Sequence, residues 1–265
     1  MARSLNWYWR LGATGFGYAL FGFGGMVLSV TLFPLMLVLI RDRDRRRRAA
    51  QWTISRGFRL FLRTLDILGV SEARVENMDQ LRAAKGMLIT PNHPTLLDVV
   101  HILSWMDSCQ CVIKAALFSN PFMAGVVRAA GYIRNDGDPE QLITDCAAHL
   151  RHGANIVIFP EGTRTPSGEP LGRFQRGMAN IALHTPADLI PVLVYCNHNA
   201  LKKGAPWYRI PPSKIRYRFQ VQPPWHVSGF LDPEVPRAKQ TRALTQEFEG
   251  YFQENLAHDI AGSGA

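Results

Sequence analysis

Two short stretches of this chain hold residues whose types and spacing could move a proton and grip an anion. In the first, Thr90-Pro91-Asn92-His93-Pro94-Thr95-Leu96-Leu97-Asp98, an apolar run ends, a polar turn follows, and helical spacing begins with Pro94 at its first position. His93 then stands at a helix entrance, and Asp98, about one turn further in, can reach back to an imidazole nitrogen. A carboxylate bonded to one ring nitrogen fixes the tautomer and frees the other nitrogen to take a proton. A base so placed is typically worth about 10²–10⁴ in rate. A histidine that merely caps a helix, with an aspartate in its first turn, would leave the same letters.

The second stretch shifts that balance. Ile156-Val157-Ile158-Phe159 reads as a buried strand, and Pro160-Glu161-Gly162-Thr163-Arg164 follows at once. Loops at the carboxyl edge of a sheet are where α/β domains place ligands. Gly162 lets backbone amides approach a ligand closely, and Arg164 suits bidentate contact with a phosphate. Glu161 suits either orienting Arg164 or bonding an acceptor hydroxyl. A lone Pro-Gly turn with a solvated arginine is the bland account of such a segment. Two similar turns at two strand ends weaken it.

The elements that must carry these turns are legible as an alternation. Apolar runs at Met87–Thr90, Cys109–Ile113, Asn155–Phe159, Leu189–Tyr195 and Ile215–Val221 read as strands. Helical patterns occupy Gln51–Leu68, Pro94–Met106, Pro121–Ala130, Asp138–His152, Gly177–His184 and Arg237–His258, with Lys202–Pro212 a loop. Asp138-Pro139-Glu140-Gln141 is a strong helix start, and Gly153 a good stop. The expected fold is α/β, a mixed and mostly buried sheet flanked by helices.

At this point the chain resembles the glycerolipid and lysophospholipid acyltransferases. Asn92–Asp98 fits their H-x-x-x-x-D block, and Phe159–Arg164 fits their third block letter for letter. The spacing is similar to that of the 1-acylglycerol-3-phosphate acyltransferase branch. Lys114 stands where that branch often has a lysine, Phe174-Gln175-Arg176-Gly177 looks like its F-x-K-G turn, and Ile190-Pro191-Val192 looks like its fourth block. The resemblance covers roughly Gln51 to Val221. One departure is Gly131-Tyr132-Ile133-Arg134, which brings the arginine of the second block to the third position rather than the sixth. Residues three apart do not share a strand face, so Arg134 is expected to point away from the pocket, which bears on whether the acceptor carries a phosphate.

The resemblance implies an O-acyltransferase. His93 takes the proton of an acceptor hydroxyl as that oxygen attacks a thioester carbonyl, and Asp98 orients the ring. Backbone amides near Thr95 or around Gly162 hold the oxyanion. Thr95, Lys114, Arg134, Glu161, Gly162, Thr163, Arg164 and Arg176 are the expected substrate-binding residues. The leading acceptor is 1-acylglycerol-3-phosphate; a lyso-ornithine lipid, glycolipid or other hydroxyacyl compound is the alternative, as is an inactive acyl-lipid-binding scaffold. No cofactor is implied beyond acyl-CoA or an acyl carrier protein as co-substrate, and no G-x-S-x-G elbow is present for a covalent route.

The first forty residues differ from the rest. Thirty residues between Arg10 and Arg41 carry no charge, and those from Phe21 to Ile40 are mostly apolar. About twenty helical residues cross a hydrocarbon core of about 30 Å. Trp7, Tyr8 and Trp9 suit an interfacial belt, and Arg41, Arg43 and Arg45 to Arg48 follow the apolar stretch. The positive-inside rule puts the remainder on the cytoplasmic face of a membrane. The expected organisation is a membrane anchor with its basic segment over 1–48, a catalytic domain over 49–260 and a flexible tail over 261–265. A full span is one form of the anchor; the other is a helix pair hinged near Gly22–Gly25 and dipping into one leaflet. Sequestering a sixteen-carbon chain is worth up to about 12 kcal/mol at about 0.8 kcal/mol per CH₂. A charge-assisted hydrogen bond adds roughly 1.5–3 kcal/mol. The acyl tail therefore dominates binding, and the chemistry belongs where the tail resides.

The net charge of +9 calls for an anionic partner. Because the arginines directly abut the apolar stretch, membrane lipid or an acidic carrier protein fits better than nucleic acid. His93, His101, Cys109 and Cys111 match no zinc spacing, so no metal is expected. A hydrolase using the same His–Asp pair to activate water is the remaining rival; it would release fatty acid without any acceptor.

Overall fold

The computed structural model describes residues 5–198 and 206–262. The chain opens with α1 (Leu5–Val30), α2 (Leu32–Leu39) and α3 (Arg43–Ile67), then β1 (Ser71–Glu76) and α4 (Met78–Ala83). The alternating part follows as β2 (Leu88–Pro91), α5 (Asp98–Trp105), β3 (Gln110–Lys114), α6 (Ala124–Ala129), β4 (Ile133–Asn135), α7 (Pro139–Arg151), β5 (Ile156–Val157) and α8 (Gly177–His184). The chain closes with β6 (Leu189–Cys196), β7 (Ile215–Val221) and α9 (Arg237–Gly262).

Seven strands form one mixed sheet in the order β1-β7-β6-β2-β5-β3-β4. Neighbours are parallel except β6 and β7, which run antiparallel. The carboxyl ends of β2 to β6 therefore share one edge, where β7 begins. Strands β2 and β5 are buried along their whole length, which is why they read as unbroken apolar runs rather than alternation. One sheet face is covered by α1, α3, α5 and α6 around Ile54, Phe61, Leu65 and Ile102. The other is covered by α7, α8 and α9 around Cys146, Met178, Phe248 and Phe252.

Local chemistry sets several boundaries. Asp138 caps α7 as its sequence suggests, Oδ1 accepting from the amides of Glu140 and Gln141 at 3.0 and 3.2 Å. Helix α5 starts at Asp98 rather than Pro94, because the residues between form a loop held by side chains described below. The helix expected over Pro121–Ala130 is shortened to α6, since the Asn120 side chain accepts from the Phe122 amide and turns the chain first. Strand β1, Ser-Glu-Ala-Arg-Val-Glu, alternates only Ala73 and Val75 with charged residues, too weak an apolar signal to stand out in the sequence; it pairs with β7 at the sheet border. The closing helix runs to Gly262, into the tail expected over 261–265, whose last three residues lie outside the described residues, as do residues 202–205 of the expected loop.

The N-terminal segment is apolar and long enough to cross a membrane by length and composition. It breaks at Thr31, not near Gly22–Gly25, because Pro34 has no N–H to give the Val30 carbonyl. Helix α1 lies against the domain along its length. Trp9 Nε1 donates to the Leu68 carbonyl at 3.1 Å, and Arg10 donates to the carbonyls of Pro211 (2.9 Å) and Ser213. Phe21 stacks on Phe58 with ring centres 5.9 Å apart. A Cβ at Gly17 would meet Leu65 at 2.8 Å, and one at Gly25 the Phe122 carbonyl oxygen at 2.7 Å. A groove of about 480 Å³ remains between α1, α3 and α6, lined by side chains such as Phe21, Leu28, Phe58 and Val126. The boundary expected after Arg48 falls inside the continuous α3.

Candidate active site

The loop after β2 is tied down on three sides. Asn92 extends the β2–β6 ladder by one step with its side chain, Oδ1 accepting from the Val194 amide at 2.7 Å and Nδ2 donating to the Val194 carbonyl at 3.0 Å. The His93 amide donates to Glu161 Oε1 at 2.6 Å, and the His93 carbonyl accepts from the Thr165 amide at 2.8 Å. The two motif loops thus form one unit. Its imidazole lies on the Phe159 ring, centres 4.0 Å apart and 30° from parallel.

Asp98 completes the arrangement. Its Oδ2 sits 3.0 Å from His93 Nδ1 and accepts from the Thr95 amide at 2.7 Å, while Oδ1 accepts from the Thr95 hydroxyl at 2.6 Å. Asp98 is fully buried, whereas the His93 side chain keeps 16% of its surface. The Thr95 amide and hydroxyl both donate to this carboxylate, which only accepts, so the tautomer that bonds it has its hydrogen on Nδ1 and leaves Nε2 to exchange a proton.

Glu161 points inward. Both oxygens are engaged, Oε1 by the His93 amide and the Thr165 hydroxyl (3.1 Å), Oε2 by the Thr165 hydroxyl (2.8 Å) and the Gly172 amide (2.8 Å). Burial pushes its pKa up, against these hydrogen bonds, which favour the ionised form. The side chain clasps two loops, and is not turned toward Arg164 or an acceptor. Gly162 is exposed with φ +65°, a conformation a side chain would strain.

Of the backbone amides in the two regions expected to hold the oxyanion, two are engaged within the fold. The Thr95 amide serves Asp98, and the Gly162 amide donates to the Phe159 carbonyl at 3.0 Å. Thr163 and Arg164 are half-buried on the same loop, and Arg164 lies close enough to Tyr18 of α1 for its charge to act on that phenol. Helix α1 therefore passes beside this edge of the sheet.

The remaining expected residues are more dispersed. Lys114 is exposed at the end of β3, and Arg176 is exposed immediately before α8. Arg134 lies 3.4 Å from Asp136 Oδ2, with its guanidinium 5.8 Å from the Phe118 ring centre. Ile133 packs among α7 and α8 side chains, so Arg134 projects from the opposite face, the one carrying α5. Sequence reasoning missed Thr165, Gly172 and Tyr217. The first two sit in the turn after the third block and had no spacing signal, and Tyr217 lies on a strand that alternates for packing. Among the described residues no three His, Cys, Asp or Glu side chains gather where an ion could be held.

A family model described as Acyltransferase matches residues 72–195, which hold both loops. That segment, a little under half of the chain, is similar to the acyltransferase family. Proteins similar to it carry the name 1-acyl-sn-glycerol-3-phosphate acyltransferase. The 1-acyl-sn-glycerol-3-phosphate acyltransferase of Pseudomonas aeruginosa is 28% identical over 180 residues, covering 65% of this chain and 65% of that protein. A chloroplastic protein of the same name from Brassica napus is 25% identical over 185 residues, covering 68% of this chain and 51% of that protein. The match thus spans about half to two thirds of these relatives. In fold, this chain is similar to the crystal structure of the 1-acyl-sn-glycerophosphate (LPA) acyltransferase PlsC from Thermotoga maritima. That likeness has a TM-score of 0.67 at 21% identity, and covers 91% of this chain and 95% of that one.

Proposed function

We propose that this protein transfers a fatty acyl group from an acyl thioester, acyl-CoA or an acyl carrier protein, to the hydroxyl of a lyso-lipid, with 1-acylglycerol-3-phosphate the leading acceptor. The observation that carries this reading is the His93 imidazole held by a buried, triply bonded Asp98 at the carboxyl edge of the sheet. In the proposed step His93 Nε2 takes the acceptor proton as the oxygen attacks the thioester carbonyl. Collapse of the tetrahedral intermediate then expels the thiolate, which recovers the proton from His93. No cofactor takes part. The oxyanion is held by donors other than the Thr95 and Gly162 amides. Arg164 is the candidate for binding phosphate, and Lys114 and Arg176 are weaker ones.

A second reading keeps the chemistry and changes the acceptor. The Arg134–Asp136 pair favours it, since a guanidinium facing a carboxylate is a poorer phosphate ligand. The names of the relatives favour the phosphate-bearing acceptor.

The long docking of α1 supports an anchor that lies in one leaflet rather than crossing the bilayer. Arg10 and Trp9 are tied to backbone of the domain, so the start of the helix stays on the domain's side of the membrane. The arginines of the juxtamembrane segment support the cytoplasmic face.

The test is direct. Labelled acyl thioester is offered with a panel of lyso-lipids to the wild type and to His93→Ala, with products identified by mass. We expect the variant to lose about 10²–10⁴ in rate. Equal product from both, or fatty acid released without any acceptor, would remove the transfer reaction.

A further inference from the structure

We propose that Tyr217 is a positioning residue for the His93–Asp98 pair, holding the Asp98 carboxylate in line through the Thr95 hydroxyl. For its kinetic readout the inference rests on the acyl-transfer reading; the bonding argument does not. The Thr95 hydroxyl oxygen is 2.6 Å from Asp98 Oδ1, 3.2 Å from the Leu97 amide nitrogen and 3.1 Å from the Tyr217 hydroxyl. A hydroxyl offers one proton and two lone pairs. The Asp98 carboxylate only accepts, so the Thr95 proton goes there. The Leu97 N–H only donates, so it fills one lone pair. The other is left for the Tyr217 O–H. The phenol also meets the Cys196 thiol, whose own proton goes to the His198 carbonyl, but sulfur is the weaker acceptor, so Tyr217 donates to Thr95, Thr95 donates to Asp98, and Asp98 accepts from His93 as well.

The surroundings suit that duty. Tyr217 and Thr95 are buried, and burial pushes the phenol well above its ordinary range, so it stays a protonated donor. The ring is packed against His101 (5.0 Å between centres) and Phe219 (6.0 Å) and cannot swing away. Strand β7 starts at the sheet edge where β2 and β6 end, and Tyr217 pairs there with Cys196. The last strand thus reaches back to a motif more than a hundred residues earlier in the chain. Without the phenol, a lone pair of a buried hydroxyl goes unfilled and Thr95 is freer to turn from Asp98.

Tyr217→Phe keeps the ring and deletes the donor. We expect kcat to fall about three- to tenfold, the worth of one hydrogen bond, with KM for both substrates and the melting temperature little changed. Thr95→Val should fall further, and the double variant should be no slower than Thr95→Val alone, because the tyrosine acts through the threonine. Effects that multiply in the double variant, or an unchanged kcat in Tyr217→Phe, would overturn the inference. A readout independent of activity is the low-field proton resonance of His93 Nδ1, assigned by its loss in His93→Gln. Its exchange with water should quicken in Tyr217→Phe, and an unaltered rate would count against the inference even were the transfer reaction disproved. A His93→Ala protein as active as wild type would instead sink the catalytic reading alone.

Discussion

Glu161 carries no proton in the proposed reaction, yet the base depends on it. Four donor contacts converge on its two oxygens, and one of them is the backbone amide of His93 itself. Changing the carboxylate to an amide puts an NH₂ group where only acceptors fit. Glu161→Gln should therefore lower stability by about 1–3 kcal/mol, read as a fall in the denaturation midpoint. It should also lower kcat, since the loop bearing His93 loosens. Unchanged stability with a selective rise in acceptor KM would instead make Glu161 a substrate contact. The motif letters point to a glutamate beside an arginine; they do not say which way it faces. That depends on Gly172, eleven residues on, and no local pattern announces so distant a partner.

Helix α5 presents a second histidine three residues after Asp98, with a different fate. His101 is enclosed by Trp105, Tyr217 and Phe219, its Nε2 has no hydrogen-bond partner among the described residues, and burial lowers its pKa from 6.5 to about 3. In the unfolded chain the ring titrates near 6.5. Between those values the unfolded state binds the extra proton, so stability is present above pH 6.5 and drains away as pH falls toward 3. Going from pH 7 to 4.5 this group should cost about 2–3 kcal/mol. His101→Phe, which keeps an aromatic ring and needs no proton, should flatten that stretch of a urea-midpoint-against-pH curve. An identical slope in the variant would put the acid sensitivity elsewhere. Elements were legible where one residue type decides them: Asp138 and Gly153 bracket α7, and the apolar runs mark β2, β6 and β7. They were not legible where side chains from afar decide, as in the start of α5, or where a border strand such as β1 is held by backbone pairing and by charges such as Glu72 with Lys214 and Arg216.

At the scale of the molecule, the proposed one-leaflet anchor makes a topological prediction. A tag placed before Leu5 should be cut by protease from the same side of sealed vesicles as the catalytic domain; protection of one with exposure of the other would establish a crossing instead. Membrane residence should also tolerate more than the usual tether does, because Phe16, Phe23, Val27 and Leu35 on α1 and α2 and Leu60 on α3 are all exposed and apolar. The glycine contacts of α1 bear on how such a protein can be handled. Gly17 and Gly25 let that helix press flush onto Leu65 and the Phe122 backbone, so its inner side is interior in all but name. Trimming residues before Arg43 to obtain a water-soluble fragment would strip away a wall, baring Phe58, Phe61 and Val126 to solvent. A tractable soluble form would keep the helix whole and swap only its outward-facing side chains for polar ones.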